Sequence, residues 1–198
     1  MPFLTREQLH KIGFAKMGEH LFISDKASFH NASQVSIGDY VRIDDFCVFS
    51  AGAGGIELGN FIHISCSSTL IGDGKIKMGN FSGISSHTAV YSSSDDFSGH
   101  YIPGYKDVVP DEFRHPNTNP VIFGDHTAIG AHSVVLPGVT INEGAVAGAM
   151  SLVRKDLKPW SLYTGNPLRF LKSRSKDLLR FTHELEKMRQ EELKKIKI

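Results

Sequence analysis

Cysteine is scarce in this chain: two residues in 198, Cys47 and Cys66. Two thiols at that spacing make neither a disulfide framework nor a metal-binding motif, and a reducing cytoplasm is the expected compartment. Long apolar runs are absent too; nothing approaches the ~20 residues needed to span a bilayer. The N-terminus, MPFLTREQLHKIG, lacks the basic-then-apolar layout of a secretory signal. Net charge is only +1, which gives no global pull toward nucleic acid. The charge is uneven, however: residues 169–198 carry ten Lys/Arg against five Asp/Glu. That basic end reads as the solvated face of a helix rather than a nucleic-acid or membrane patch. Composition is otherwise that of a soluble globular protein, 40% hydrophobic and 22% charged.

Helical periodicity is missing from most of the chain, and a period of six takes its place. Residues 123–158 divide into hexads led by Phe123, Ile129, Val135, Ile141, Ala147 and Val153. A period of six is neither the 3.6 of a helix nor the alternation of a strand. It predicts short flat strands joined by turns, wound as a solenoid with the large leader and a small fifth residue pointing inward. Earlier blocks share the form apolar-Gly-Asp/Asn/Glu: MGEH, IGDY, LGNF and MGNF start at Met17, Ile37, Leu58 and Met78. Each is followed by two further leaders at steps of six, which gives about six coils of three hexads. Fifth positions include Ala27, Ser33, Val41, Cys47, Ala53, Ser68, Ser82 and Thr88; Cys47 is thus expected to be a small interior filler.

Three regions follow: an N-terminal helical cap over 1–16, the solenoid over 17–158, and an exit segment with a C-terminal helix over 159–198. Thr5 as N-cap, Gln8 three residues on and Gly13 as the stop predict the first helix. In the last, Leu178, Phe181, Leu185 and Met188 form a stripe that should pack on the solenoid or on a neighbouring subunit. One interval breaks the rhythm. Met78 to Phe123 is some 25 residues longer than a coil, and the surplus, about 91–120, is an inserted loop rich in Gly, Pro, Tyr and acids. A loop of that length inside a repeat is expected to be functional.

The registered coils, the stretch TAIGAHSVVLPGVTINEGAVAGAMSLVRKDLKPWSLYTGNPLRF and its Gly-Asn-Pro-x-Arg close resemble the hexapeptide-repeat acyltransferases, in particular the galactoside, maltose and streptogramin acetyltransferase branch. The resemblance implies an all-β fold, a left-handed parallel β-helix working as a homotrimer. It also implies acetyl-CoA as acyl donor and a sugar or similar polar acceptor. Matching places Ala131, Ala149, Arg154, Lys155 and Arg169 along the donor groove. Arg and Lys at its edge suit the phosphates of a CoA thioester. Ser65 and Asp73 match acceptor contacts, from the subunit facing the loop; Asp73 reads equally as an Asp-Gly turn residue.

The base is where this sequence departs from that family. Galactoside-type members carry a histidine at the mouth of the long loop, and counting from Val90 places Asp95 there. An imidazole titrates near ~6.5 and an exposed aspartate near ~3.9, so Asp95 is a weaker base unless burial or the neighbouring Asp96 raises it. It would also suit an ammonium group, and hence an amine acceptor. His100, in the same loop, is a further candidate. His87 and His132 hold the fourth place of hexads on one wall and should stack as neighbours; His87 is the weakest of the catalytic candidates. Two other readings stand beside acyl transfer: a binding scaffold that has lost its base, and a γ-class carbonic anhydrase-like zinc site on His87, His126 and His132. Against the latter, His126 and His132 are six apart rather than five and should lie on different walls.

Overall fold

The computed structural model describes residues 2–196, with side chains through Glu191. Three parallel sheets form the three walls of a prism. The hexad leaders account for all three. Met17, Ile37, Leu58, Met78, Phe123 and Ile141 are successive partners on the first wall. Ile23, Ile43, Ile64, Ile84, Ile129 and Ala147 are partners on the second. Phe29, Phe49, Leu70, Val90, Val135 and Val153 line up on the third. The walls wind as a left-handed parallel β-helix. Beyond the six coils, Ser161–Thr164 adds a partial seventh rung to the second wall.

Corners, not strands, set the period. Among the described residues twelve non-glycine residues have positive φ, a left-handed conformation that turns the chain sharply and costs about 1–2 kcal/mol each outside glycine. At the first corner the cost is offset by two ladders. Glu19, Asp39, Asn60 and Asn80 donate their backbone N–H groups to the side-chain oxygens of Asp39, Asn60, Asn80 and Asp125 one coil on, at 2.7–2.8 Å. Above them His20, Tyr40, Phe61, Phe81 and His126 stack ring on ring, with centroids 4.5–5.2 Å apart, and Trp160 tilts over the end. Glycine precedes each acidic or amide residue because the next coil leaves no space. A Cβ on Gly79 would sit 2.4 Å from Asp125 Oδ1.

Inside, the small fifth positions are buried from Val41 and Cys47 through Ser68, Ser82, Thr88, Thr127, Ser133 and Ser151. Their hydroxyls donate to backbone carbonyls, as in Ser82 to Gly124 (2.9 Å) and Ser151 to Gly148 (2.7 Å), so these interior hydroxyls are satisfied. Ser33 and Ala53, expected inside, are exposed. They fall on extra third-corner residues, a 3-10 turn at Ala32–Gln34 and the AGAGG turn, which bulge out of the coil. Cys47 is a filler as expected: it donates to Ser65 O, and burial pushes its thiol up to about 11.

Both ends of the prism are closed. Helix α1, Arg6–Ile12, has the full Thr5/Gln8 capping box and a left-handed Gly13, and buries Leu9 against the first coil. At the far end Arg169–Ser173 runs antiparallel to Ser161–Thr164. Helix α2, Leu178–Ile196, returns along the first corner, where the Arg189 guanidinium lies 5.2 Å from the Tyr40 ring. Its stripe is split: Leu178 and Leu185 are half-buried while Phe181 and Met188 face outward.

Candidate active site

The candidate residues gather at two corners. The second corner carries Ser65 and Ser85, which follow the paired leaders Ile64 and Ile84, together with His87, Ala131, His132 and Ala149. His87 and His132 stack as the hexad count predicts, with ring centroids 4.7 Å apart and planes within 6°. Both rings are exposed. His126 is not with them; it belongs to the first-corner ladder between Phe81 and Trp160. One coil earlier on this face a buried carboxylate, Asp44, accepts from Arg42 Nε at 2.7 Å and bonds His63 Nε2 at 2.8 Å. Burial works to raise the Asp44 pKa, but the bonds from His63 and Arg42 outweigh it and hold the carboxyl below its usual range.

The third corner carries the inserted loop. Ser92 N–H still donates to Ile71 O, after which the chain leaves the coil and returns through the antiparallel pairing of Ser93–Ser94 with Asn117–Thr118. Between these stems the loop closes on itself. Ile102 N–H donates to Phe113 O, and Tyr105 O accepts from both Val108 and Val109. Arg114, its side chain 12% exposed, donates to Gly104 O at 2.8 Å and pairs with Asp111. The folded loop stands over the third and second coils of the same chain. A cavity of about 240 Å³ lies between, lined by Asp73, Ser93, Asp95, Tyr105, Arg114 and Pro116 among others.

Asp95 and Asp73 therefore share one cavity within a single chain, whereas matching had put Asp73 on a facing subunit. Among the described contacts no hydrogen bond or ion pair ends on either carboxylate; the Asp73 N–H donates to Ser93 Oγ. Asp96 is different. Its carboxylate accepts from the N–H and the hydroxyl of Ser98 at 2.7 and 2.8 Å. Those bonds from Ser98, with weaker help from His100 and His115, lower its pKa. Asp96 is thus a turn-forming residue and a poor proton acceptor. His100 is exposed, its N–H bound to Ser98 Oγ, and it does not line the cavity.

Two coils beyond the loop, on the same corner, Arg154 and Lys155 line a second cavity of about 220 Å³ with Tyr163, Pro167 and Leu168. Neither cation has a carboxylate partner among the described ion pairs, and both are exposed. Arg169 is one residue outside that lining, on the exposed strand Arg169–Ser173. The matched groups thus fall into a second-corner set with serines, imidazoles and small residues, and a third-corner set with free carboxylates and free cations. Sequence reasoning passed over Tyr105 and Arg114, whose placement depends on how the loop folds back.

No family model matches the chain. It is 44% identical to the dTDP-4-amino-4,6-dideoxy-D-glucose acyltransferase of Escherichia coli over 179 residues, covering 90% of this chain and 92% of that enzyme. Among solved structures it superposes on AntD, an N-acyltransferase from Bacillus cereus in complex with dTDP and 3-hydroxybutyryl-CoA. The TM-score is 0.89 at 40% identity, over 95% of this chain and 98% of that one. Structures of AntD variants, substituted at one serine or at one aspartate ten positions later, match at the same identity. A maltose O-acetyltransferase from Clostridium difficile 630 shares the fold at 19% identity, with a TM-score of 0.58 over 86% of this chain and 75% of that one.

Proposed function

We propose, from the premise that the chain belongs to the hexapeptide-repeat, CoA-dependent acyltransferases, that it acylates the amine of a nucleotide-linked amino sugar. The observation that carries the amine is Asp95, a carboxylate where the galactoside branch has a histidine. An unpartnered carboxylate attracts an ammonium group and accepts the acidic proton that the amine nitrogen sheds once it has added to the thioester carbonyl, while it is a weak base toward a hydroxyl. The relatives support this reading: the E. coli enzyme is named for an amino sugar, and AntD variants were solved with dTDP-4-amino-4,6-dideoxyglucose and coenzyme A. Ser85 and Asp95 stand ten positions apart, the spacing of the serine and aspartate substituted in AntD. Ser86 and Asp96 share that spacing, but Asp96 is committed to Ser98.

The chemistry is one displacement. The neutral amine attacks the thioester carbonyl, a C–N bond forms, the C–S bond breaks, and the amine proton passes to Asp95 while CoA leaves as the thiolate. Arg154, Lys155 and Arg169 hold the phosphates of the donor. Holding both reactants in attack geometry supplies most of the acceleration for such a reaction.

One chain splits the machinery between two corners, so the proposal includes a homotrimer in which the second corner of one copy faces the third corner of the next. His87, His132, Ser65 and Ser85 would then meet Asp95, Arg154 and Lys155 across the interface. A cytoplasmic location fits a CoA thioester donor and two unpaired cysteines; among the described residues no helix is long and apolar enough to cross a membrane. The test is thiol release from acetyl-CoA and 3-hydroxybutyryl-CoA with dTDP-4-amino-4,6-dideoxyglucose, dTDP-glucose or maltose as acceptor. Release that depends on the amino sugar is expected. Equal turnover of maltose would overturn the amine assignment, and no release with any acceptor would overturn the enzyme.

A further inference from the structure

We propose that Arg174 is a positioning residue for the acyl donor: it anchors the hairpin that forms one wall of the cavity holding Arg154 and Lys155. This deepens the CoA-dependent reading and rests on it.

The hairpin is Ser161–Thr164 paired antiparallel with Arg169–Ser173. Its turn brings Pro167 and Leu168, with Tyr163 from the first strand, into one cavity of about 220 Å³ with Arg154 and Lys155. Only the first strand is stacked on a coil, where Leu162 and Tyr163 pair with Val146 and Ala147. The second strand has one neighbour, and all five of its residues are exposed. A two-stranded ribbon is marginally stable by itself in water, so the turn depends on how the other end is held. That end is Ser173, opposite Ser161, and Arg174 follows it directly.

Three hydrogen bonds tie Arg174 to the aromatic corner. Its N–H donates to Trp160 O at 2.8 Å. Its Nη1 donates to Gly144 O at 2.6 Å and to His126 O at 3.1 Å. His126 and Gly144 are the left-handed corner residues of successive coils, and neither carbonyl accepts a described backbone bond from the next coil. Lys176, two residues on, lies 5.4 Å from the Trp160 ring. Burial lowers the Arg174 pKa, yet no described ion pair gives it a carboxylate. A guanidinium drawn out of water onto carbonyls alone gives up hydration that a counter-ion would offset. Holding helix α2 does not require this, because Arg189 on the Tyr40 ring and half-buried Leu178 and Leu185 already hold it. What Arg174 adds is a fixed base for the donor hairpin. The donor then meets a preformed wall; without the anchor only a fraction of molecules presents it, and apparent affinity falls by that fraction.

The experiment compares the wild type with Arg174→Met, which keeps the stem, with Arg174→Lys, and with Arg189→Met, which loosens α2 at its far end. Thiol release from acetyl-CoA with the amino-sugar nucleotide gives KM and kcat. Trypsin cleavage at Arg169 and Lys172, with and without CoA, reports the hairpin directly. Arg174→Met should raise the donor KM about tenfold, as for a wall closed in about a tenth of molecules. The acceptor KM and kcat should move less than about threefold, because saturating donor restores the closed form. Arg174→Lys should restore part of the donor KM. Cleavage should be faster in Arg174→Met, and CoA should slow it. Arg189→Met should lower Tm and leave the donor KM unchanged. A donor KM unchanged in Arg174→Met, or raised equally in Arg189→Met, overturns the positioning role. If Arg174→Met fails to fold, Arg174→Lys is decisive: its shorter side chain should raise cleavage and donor KM together, and a rise in cleavage alone, or in neither, overturns the role. If the wild type releases no thiol from any donor, the enzyme reading falls and takes this one with it. Release with an unchanged donor KM removes the role of Arg174 alone.

Discussion

Replacing Asp95 by Asn separates a proton acceptor from a surface carboxylate. No described hydrogen bond or ion pair ends on the Asp95 side chain, and only its backbone carbonyl accepts, from Ser94 Oγ. The substitution therefore removes no fold contact, and stability should move by no more than about 0.5 kcal/mol, a Tm change of about 2 °C or less for a chain of this size. The kinetic change should be far larger. A lost hydrogen bond to a charged amine is worth about 1.5–3 kcal/mol, or roughly ten- to 150-fold. A lost proton acceptor costs about 10²–10⁴-fold. Asp96 cannot substitute, because Ser98 occupies both its oxygens. Asp73 lines the same cavity and should sustain a residual rate. We expect Asp95→Asn to lower kcat at least about a hundredfold, with the donor KM unchanged, and Asp73→Asn/Asp95→Asn to fall further. Thiol release under saturating donor, with thermal unfolding measured in parallel, gives both numbers. Asp95→Asn and Asp95→Ala within about threefold of wild type (~0.6 kcal/mol) at unchanged Tm would refute the assignment.

Two further outcomes follow from the fold. Asp44 has a depressed folded-state pKa, so its contribution is fully present above the unfolded value of ~3.9 and is lost as pH falls through the folded value. The Tm gap between wild type and Asp44→Asn should thus be widest near neutral pH and close in acid; a gap constant with pH would contradict this. Gly124→Ala places a Cβ 2.6 Å from Glu143 N and 3.0 Å from its Cα. Because these are backbone atoms of the next coil, overpacking should cost about 1–3 kcal/mol, read as a lower Tm, and an unchanged Tm would show that the coils can part.

The frame was legible because a period of six is stated eighteen times over. All eighteen leaders from Met17 to Val153 fall on their expected partners, and His87 and His132 stack for the same reason. Ser33 and Ala53 were misplaced because extra corner residues shift the local count without altering the leaders. The aromatic ladder is written in IGDY, LGNF, MGNF and FGDH, whose fourth residues are the stacked rings; the period of the leaders does not by itself imply that stack. The cavity was not legible. Asp73 and Asp95 are neighbours only because the loop folds back through Ser93–Thr118 pairing and the Arg114 bond to Gly104, contacts that no repeat encodes. Nor does spacing distinguish Asp96, a turn former, from Asp95.

The closed ends of the prism have a consequence beyond stability. Each coil presents the next with a full set of unpaired backbone groups, so the stack has no natural length, and an open end is a template for another molecule's strands. Helix α1 covers one end and the antiparallel strand Arg169–Ser173 terminates the second wall at the other. A reversed strand cannot be continued in the parallel register of the coils. These two short segments act as chain terminators for assembly along the axis, and the proposed homotrimer accordingly uses the flanks of the prism.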